Sequence, residues 1–425
     1  MVSIRKIGKG YQYYFDIAPQ DGKRKRVSKS GFKTKAEAKK EGIIAYNDYL
    51  NTGKTISRDG NISYSDYLDY WLDNYCKINL KYHTIQSYTN IINNHIKPNL
   101  GYYKLSQLDT KSLQNFINQI YVEKSFSKSF LHNILKVIKG SFKYACKTAG
   151  FIKYNPATEV NLPKYDTPPN DPAHIFSEKE IETILRRFEN NHAVYYAMLT
   201  AYYTGLRVSE VFALTWEDID LKKKTISVNK IIMEKNHTGT THCRHLSGNS
   251  TTVWYFGTCK TQSSYRTITI GDTLVNALKD YKREQEENEK YYNNSYMKHY
   301  LVETQNYYNN KPEYKILNAV KEIPVALKEV KLVFIKDNGV FEGTATTKYP
   351  FKVIHYELGI NCRFHDFRDT HATRLIENGV DVKAVAKRLG HSNIRTTYEI
   401  YVRVTDKMER ETANVFEEFS NLKLK

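Results

Sequence analysis

The chain is short of long apolar runs. The nearest approach in its 425 residues, Val194 to Leu206, is interrupted by Thr200, Thr204 and Gly205. A spanning helix needs about 18 unbroken apolar residues, so no membrane span is expected. Cysteine is scarce: Cys76, Cys146, Cys243, Cys259 and Cys362 are odd in number, widely spaced and form no CxxC pair. That excludes a disulfide framework and fits a reduced, cytoplasmic protein. No apolar stretch follows the basic segment Met1 to Lys9, so no secretory signal is expected. The common catalytic signatures are missing too. Gly53-Lys54-Thr55 resembles the end of a P-loop, but Asp48 stands where that motif needs its first glycine. Neither GxSxG nor HExxH occurs. His237, His242, Cys243, His245 and Cys259 match no standard zinc spacing and read as a polar hairpin insert.

Acidic residues are also in deficit. Lys and Arg number 64 against 46 Asp and Glu, a net charge of +18. Such an excess favours an anionic partner, a nucleic acid or an acidic membrane surface. Hydrophobic residues make up 40%, enough for packed cores rather than wholesale disorder. The 35 tyrosines follow AT-rich coding and carry no chemistry by number alone, so a tyrosine nucleophile has to stand out by context.

Three regions follow from the patterning. The first 55 residues hold 13 Lys/Arg against 5 Asp/Glu. Tyr11 to Ile17 reads as a strand, Asp21-Gly22 as a turn, and Lys23-Arg24-Lys25-Arg26-Val27 as a cationic return strand, with Lys29 just beyond. Thr34 and Glu37 form a capping box that opens a helix. A small sheet with one helix is expected, contacting DNA through the cationic hairpin. Residues 61 to 160 read as helical. Tyr64, Tyr67, Leu68 and Trp71 lie at core spacing, and Pro98 and Gly101 interrupt the pattern. Five of the ten prolines (156, 163, 168, 169 and 172) crowd into the main boundary. Beyond it, Ser177 and Glu180 cap the first helix of a mixed region. That region has helices near 194–203 and 208–214 and strands near 225–229 and 267–270, with helices to the end. Residues 285–313, rich in tyrosine and asparagine, look like an exposed insertion. The fold class is therefore multidomain α+β, with domains at 1–57, 61–165 and 174–425.

The chemistry concentrates in the third region. Thr204-Gly205-Leu206-Arg207 puts an arginine at a helix start, a position that favours phosphate, with Glu210 three residues on. His365 and Arg368 share one helical face at i and i+3. Gly390-His391-Ser392 follows a helix capped by Asp381, and Tyr401 comes after Thr396-Thr397. Arginines, histidines and a tyrosine without a carboxylate cluster point to phosphoryl transfer at DNA by electrostatics alone, with no metal and no cofactor. Each preorganised donor in such a site is worth about 3–4 kcal/mol. Ionising a tyrosine of pKa about 10 at neutral pH costs roughly 4 kcal/mol, which neighbouring cations must offset.

In this order, TGLRVSE, Lys260-Thr261 before Arg266-Thr267-Ile268, HDFR with THAT, LGHS and TTYEIY resemble the tyrosine recombinase, or phage integrase, family. The GKRKR hairpin with GFKTKAEA is similar to the arm-site-binding domain of conjugative-transposon and phage integrases, and HIKPNLGYYKLSQLD to their core-binding domain. The resemblance implies a site-specific recombinase that integrates and excises a mobile element. Arg207 and Arg368 would grip the scissile phosphate, His391 would hydrogen-bond it, and His365 would orient it or act as base. Lys260 would be the general acid, with Lys230 as competitor, Tyr401 the nucleophile and Glu210 the support of Arg207. Phe367-Arg368-Asp369 and Arg403 depart from common wording, at positions outside the core catalytic set. The partners implied are double-stranded DNA at core and arm sites and further copies in a homotetramer. An excision factor and a host DNA-bending protein would complete the set, at the nucleoid of a bacterial cell and away from membranes. The apolar stripe Val415, Phe416, Phe419, Leu422 is expected to dock on a neighbouring subunit. A type IB topoisomerase and a DNA-binding regulator with a decayed catalytic domain are the alternatives.

Overall fold

The computed structural model describes residues 2–20, 23–52, 62–124, 126–164, 173–236, 252–306, 312–401 and 413–417. The chain divides into two compact units, Met1–Pro168 and Pro169–Lys425, and the division falls inside the proline-rich segment.

The first unit contains two separate cores. Strands β1 (Ser3–Ile7), β2 (Gly10–Gln20) and β3 (Lys23–Phe32) form an antiparallel sheet in sequence order. Alternation along β2 buries Tyr13 and Phe15 against helix α1 (Lys35–Thr52), with Phe32 and Ala38 completing the core. Thr34 caps α1, its Oγ1 accepting from the Glu37 N–H at 3.2 Å, while the Glu37 carboxylate accepts from the Lys33 N–H at 3.1 Å, one residue before the position a capping box would use.

Helices α2 (Tyr64–Trp71), α3 (Lys77–Asn79), α4 (Tyr82–Ile91), α5 (Lys97–Leu100), α6 (Thr110–Lys124) and α7 (Lys128–Lys147) build the second core. Tyr64, Tyr67, Leu68 and Trp71 are buried in it, as their spacing predicts. Tyr67 Oη donates to the Ser141 carbonyl at 2.6 Å, and Tyr64 Oη lies 2.9 Å from Ser141 Oγ. Burial raises both phenols well above their ordinary pKa, so these tyrosines pack rather than react. The expected break at Pro98 is milder than the sequence implies. A π-turn at Ile92–Ile96 adds a residue before α5, which admits the proline near its own N-terminus.

In the second unit, α8 (Glu178–Arg187), α9 (His192–Thr204) and α10 (Val208–Val211) precede a three-stranded sheet of order β4 (Ile219–Asp220), β5 (Thr225–Val228), β8 (Arg266–Thr269). The capping box at α8 is formed by Ser177 and Glu180. A five-stranded antiparallel sheet runs in the order β11-β9-β10-β7-β6. Its strands are β6 (Ile231–Asn236), β7 (Thr252–Gly257), β9 (Met297–Gln305), β10 (Pro312–Val320) and β11 (Lys328–Glu329). This corrects the reading of 285–313 as an exposed insertion. Helix α11 (Asp272–Tyr292) extends into that range, β9 follows it, and Tyr296, His299 and Tyr300 are buried. Tyrosine supplied apolar area where the composition looked polar. Strands β6 and β7, on either side of residues 237–251, likewise pair antiparallel in this sheet, with Trp254, Tyr255 and Phe256 buried. His237, His242, Cys243 and His245 lie outside the described residues; Cys259 is buried. Helices α12 (Lys348–Tyr356), α13 (Phe364–Glu377), α14 (Val382–Leu389) and α15 (Arg395–Tyr401) follow, and residues 413–417 form a further short helical turn.

Candidate functional site

Local sequence delivers Arg207 to a helix boundary. Helix α9 ends at Gly205 with φ +67°, a left-handed conformation that L side chains rarely adopt. A Cβ there would come within 2.5 Å of Leu389 and 2.9 Å of the His371 ring. The turn leaves Arg207 as the N-cap of α10. Glu210, 2% exposed, accepts from the Arg207 backbone N–H at 3.1 Å and from its Nη1 at 2.8 Å. Its other cationic partner is Arg266, whose Nη2 donates to Oε2 at 3.0 Å. Burial alone would raise the Glu210 carboxyl; the charges of Arg266 and then Arg207 outweigh it and hold the group below its ordinary range.

Helix α13 places His365 in its first turn and Arg368 one turn later. Arg368 is 1% exposed and donates from Nη1 to the Gly205 carbonyl and from Nη2 to the Leu389 carbonyl, both at 2.6 Å. Its Nε is buried without a partner among the described residues. Burial, then repulsion from Arg207, pulls its pKa from 12.5 down to about 9. The guanidinium stays charged at neutral pH, so its burial is an electrostatic cost that a bound anion would relieve. His365 is half-exposed, its Nε2 3.9 Å from Asp369 Oδ1. Desolvation, helped by the Arg368 and Arg207 charges, lowers its pKa although Asp369 opposes the shift.

His391 follows α14, which Asp381 caps through the Lys383 and Ala384 N–H groups. Gly390, at φ +72°, packs against the Ser263 carbonyl and Arg266. His391 Nδ1 lies 2.8 Å from Thr397 Oγ1. Desolvation, then Arg368 and Arg207, push its pKa down to about 4, so the ring is neutral at physiological pH. Tyr401 is the last residue of α15; its side chain lies outside the described residues. Tyr398, one turn earlier, is 44% exposed.

Arg207, Glu210, His365, Arg368 and His391 are thus brought into one electrostatic cluster. Lys260 is exposed, on the segment that leads through Thr261 and Ser264 into Arg266. Lys230, its competitor, is committed to the buried carboxylate of Asp218 and to Asn229. Sequence reasoning gave no role to four residues that hold the cluster together. Arg266 Nε donates to the Arg388 carbonyl at 2.7 Å, tying Glu210 to the turn before His391. Arg388 donates from Nε to His371 Nε2 at 3.0 Å and reaches the Thr269 and Tyr203 carbonyls. His371 Nδ1 is 2.8 Å from the Tyr202 carbonyl, which can only accept, so the proton sits on Nδ1 and the ring is neutral. Thr397 is the fourth. Arg266 stands in the Arg-Thr-Ile strand motif and Arg388 directly before LGHS, but the partners of both are over 50 positions away or on a neighbouring helix.

On the other unit, Tyr14 lies between two arginines, Arg26 at 4.8 Å and Arg5 at 5.6 Å from its ring centre. Arg26 also pairs with Asp16, and Lys29 sits over the Phe32 ring. The side chains of Lys23, Arg24 and Lys25 lie outside the described residues, although their backbone forms β3.

The chain is similar to known proteins along most of its length. Residues 1–42 match an arm DNA-binding domain and residues 63–121 the N-terminal SAM-like domain of phage integrases. A tyrosine recombinase XerC-like protein of Caldanaerobacter subterraneus subsp. tengcongensis is 28% identical over 418 residues, 95% of either chain. The integrase of Staphylococcus phage L54a is 27% identical over 363 residues, covering 81% of this chain and 89% of its own. The Bacillus subtilis ICEBs1 integrase is 24% identical over 80% of this chain and 78% of its own. In fold, the chain is similar to the Tn1549 transposon integrase in complex with transposon right end DNA. That likeness has a TM-score of 0.59 at 19% identity, over 83% of this chain and 98% of the other. A lambda integrase tetramer bound to a Holliday junction gives 0.52 at 16% identity, over 96% and 95%. Because residues 174–408, more than half the sequence, match the phage integrase family itself, the chain belongs to that family.

Proposed function

We propose that this integrase inserts and excises a mobile DNA element by attack of Tyr401 on a scissile phosphate held by Arg207, Arg368 and His391. The observation that carries the reading is the buried Arg368 guanidinium, one N–H unpartnered among the described residues and its charge opposed by Arg207. A phosphate oxygen supplies the missing anion. The Tyr401 hydroxyl loses its proton, with His365 as orienting group or base, and its oxygen bonds to phosphorus. The 5′-oxygen leaves and takes a proton from Lys260. The 3′-phosphotyrosyl bond replaces one phosphodiester by another, so the reverse attack by a 5′-hydroxyl needs no ATP. Glu210 holds Arg207 in place throughout.

The reading assigns residues 1–57 to arm sites, 61–165 to the core site and 174–425 to catalysis. Lys23, Arg24, Lys25, Arg26 and Lys29 contact arm-site phosphates. Strand exchange needs four cleavages, hence a homotetramer on two duplexes. Val415 and Phe416, exposed on the short helix at 413–417, support docking of the tail on a neighbour. Two DNA addresses on one chain require bent DNA, which makes a host DNA-bending protein and an excision factor the accessory partners. The reaction takes place on DNA in the bacterial cytoplasm.

The test uses duplexes built from the DNA that borders the gene. The full-length protein should form a covalent adduct at a 3′-phosphate in excess EDTA and without ATP. Cleavage that depends on added magnesium would point to another mechanism. Deleting residues 1–57 should spare cleavage of short core-site duplexes and abolish integration of a full attachment site. Arm-site affinity should fall with salt at a slope of about −0.9 per phosphate neutralised in log K against log salt. Undiminished integration by the truncated protein would remove the arm-site assignment.

A further inference from the structure

Thr397 is fully buried, 0% exposed, near the start of α15. Among the described residues its hydroxyl has one hydrogen-bond partner, His391 Nδ1, at 2.8 Å. A buried hydroxyl that only accepted would leave its own hydrogen unsatisfied. It therefore donates to Nδ1, and the ring proton of His391 sits on Nε2. The surroundings agree: burial, and then the charges of Arg368, Arg207, His365 and Arg266, disfavour a second proton on the ring. Four residues after Thr397, one turn along the same helix, stands Tyr401.

We propose that Thr397 is a positioning residue. Its hydroxyl locks His391 as the Nε2–H tautomer, a neutral donor to the scissile phosphate, and makes that alignment depend on the seating of the helix that carries the nucleophile. The proposal rests on His391 being a phosphate ligand. It adds that the turn after α14 and the helix of Tyr401 are coupled by one hydrogen bond. The active arrangement is complete only when α15 is docked on its own domain.

The experiment measures single-turnover formation of the covalent adduct by the full-length protein on a nicked duplex from the bordering DNA. Thr397→Val keeps the branched shape and removes the donor; the rate should fall about tenfold while half-site affinity stays within about twofold. Thr397→Ala is a second variant without the hydroxyl, and Thr397→Ser, which retains it, should restore most of the rate. In a His391→Ala background, Thr397→Val should change the rate less than about twofold, because the group it acts through is gone. An equal loss in both backgrounds would show that Thr397 merely supports α15, and overturns the proposal. A native rate in Thr397→Val, with His391→Ala slow, overturns it too and leaves the role of His391 intact. His391→Ala at the native rate would overturn the reading of His391 itself.

Discussion

Tyr401→Phe protein should bind half-site DNA as tightly as the native chain and form no covalent adduct on a nicked duplex, a loss of roughly ten-thousandfold or more. The expectation comes from what the phenol has to do. Its proton must leave at a cost of about 4 kcal/mol at neutral pH, and only a site rich in preorganised cations can offset that. Arg207, Arg266, Arg368 and Arg388 converge on the cluster, with Glu210 buried among them. Tyr398→Phe should keep its adduct, since Tyr398 is half-exposed and one turn too early on α15. An adduct that persists in Tyr401→Phe and disappears in Tyr398→Phe would reverse the assignment.

Glu210→Ala should cost the catalytic unit about 3–5 kcal/mol, because it leaves Arg207 and Arg266 as buried or half-buried cations without their shared carboxylate. For a unit of this size that is a fall in Tm of very roughly 6–20 °C. Cleavage should fall with it, as Arg207 loses the group that orients it. Glu210→Gln keeps hydrogen-bonding capacity without the charge and should lie between the two proteins. The pH dependence has a defined sign. The Glu210 carboxyl is held below its ordinary value in the folded state, so its contribution is fully present above the unfolded pKa of about 4.3. It is lost as the pH falls through the lower, folded value. Native protein should therefore lose stability below about pH 4 more steeply than Glu210→Gln. Equal acid slopes in a melting series, or an unchanged Tm in Glu210→Ala, would show that the carboxylate does not bind the arginines together.

Local signals in the sequence were enough for the helix starts and the chain order of the site. Ser177 with Glu180, Thr34 with Glu37 and Asp381 cap helices as their spacing predicts, because a cap is satisfied within three residues. Tyr64, Tyr67, Leu68 and Trp71 are core for an equally local reason, the 3.6-residue period. The cationic N-terminal hairpin and the ordered set from Arg207 to Tyr401 could also be read directly, and with them the family. Long-range pairing was not legible. The five-stranded sheet joins 231–236 and 252–257 to 297–305, 312–320 and 328–329, segments whose polar and tyrosine-rich wording hides a buried face. Arg266 draws its meaning from Glu210 and the Arg388 carbonyl, and Arg388 from His371. Thr397 counts only because the turn after α14 brings His391 to its hydroxyl. Periodicity and capping are encoded within a turn or two of chain, whereas a buried arginine's partners and a histidine's tautomer are set by whichever groups the fold brings within hydrogen-bond reach.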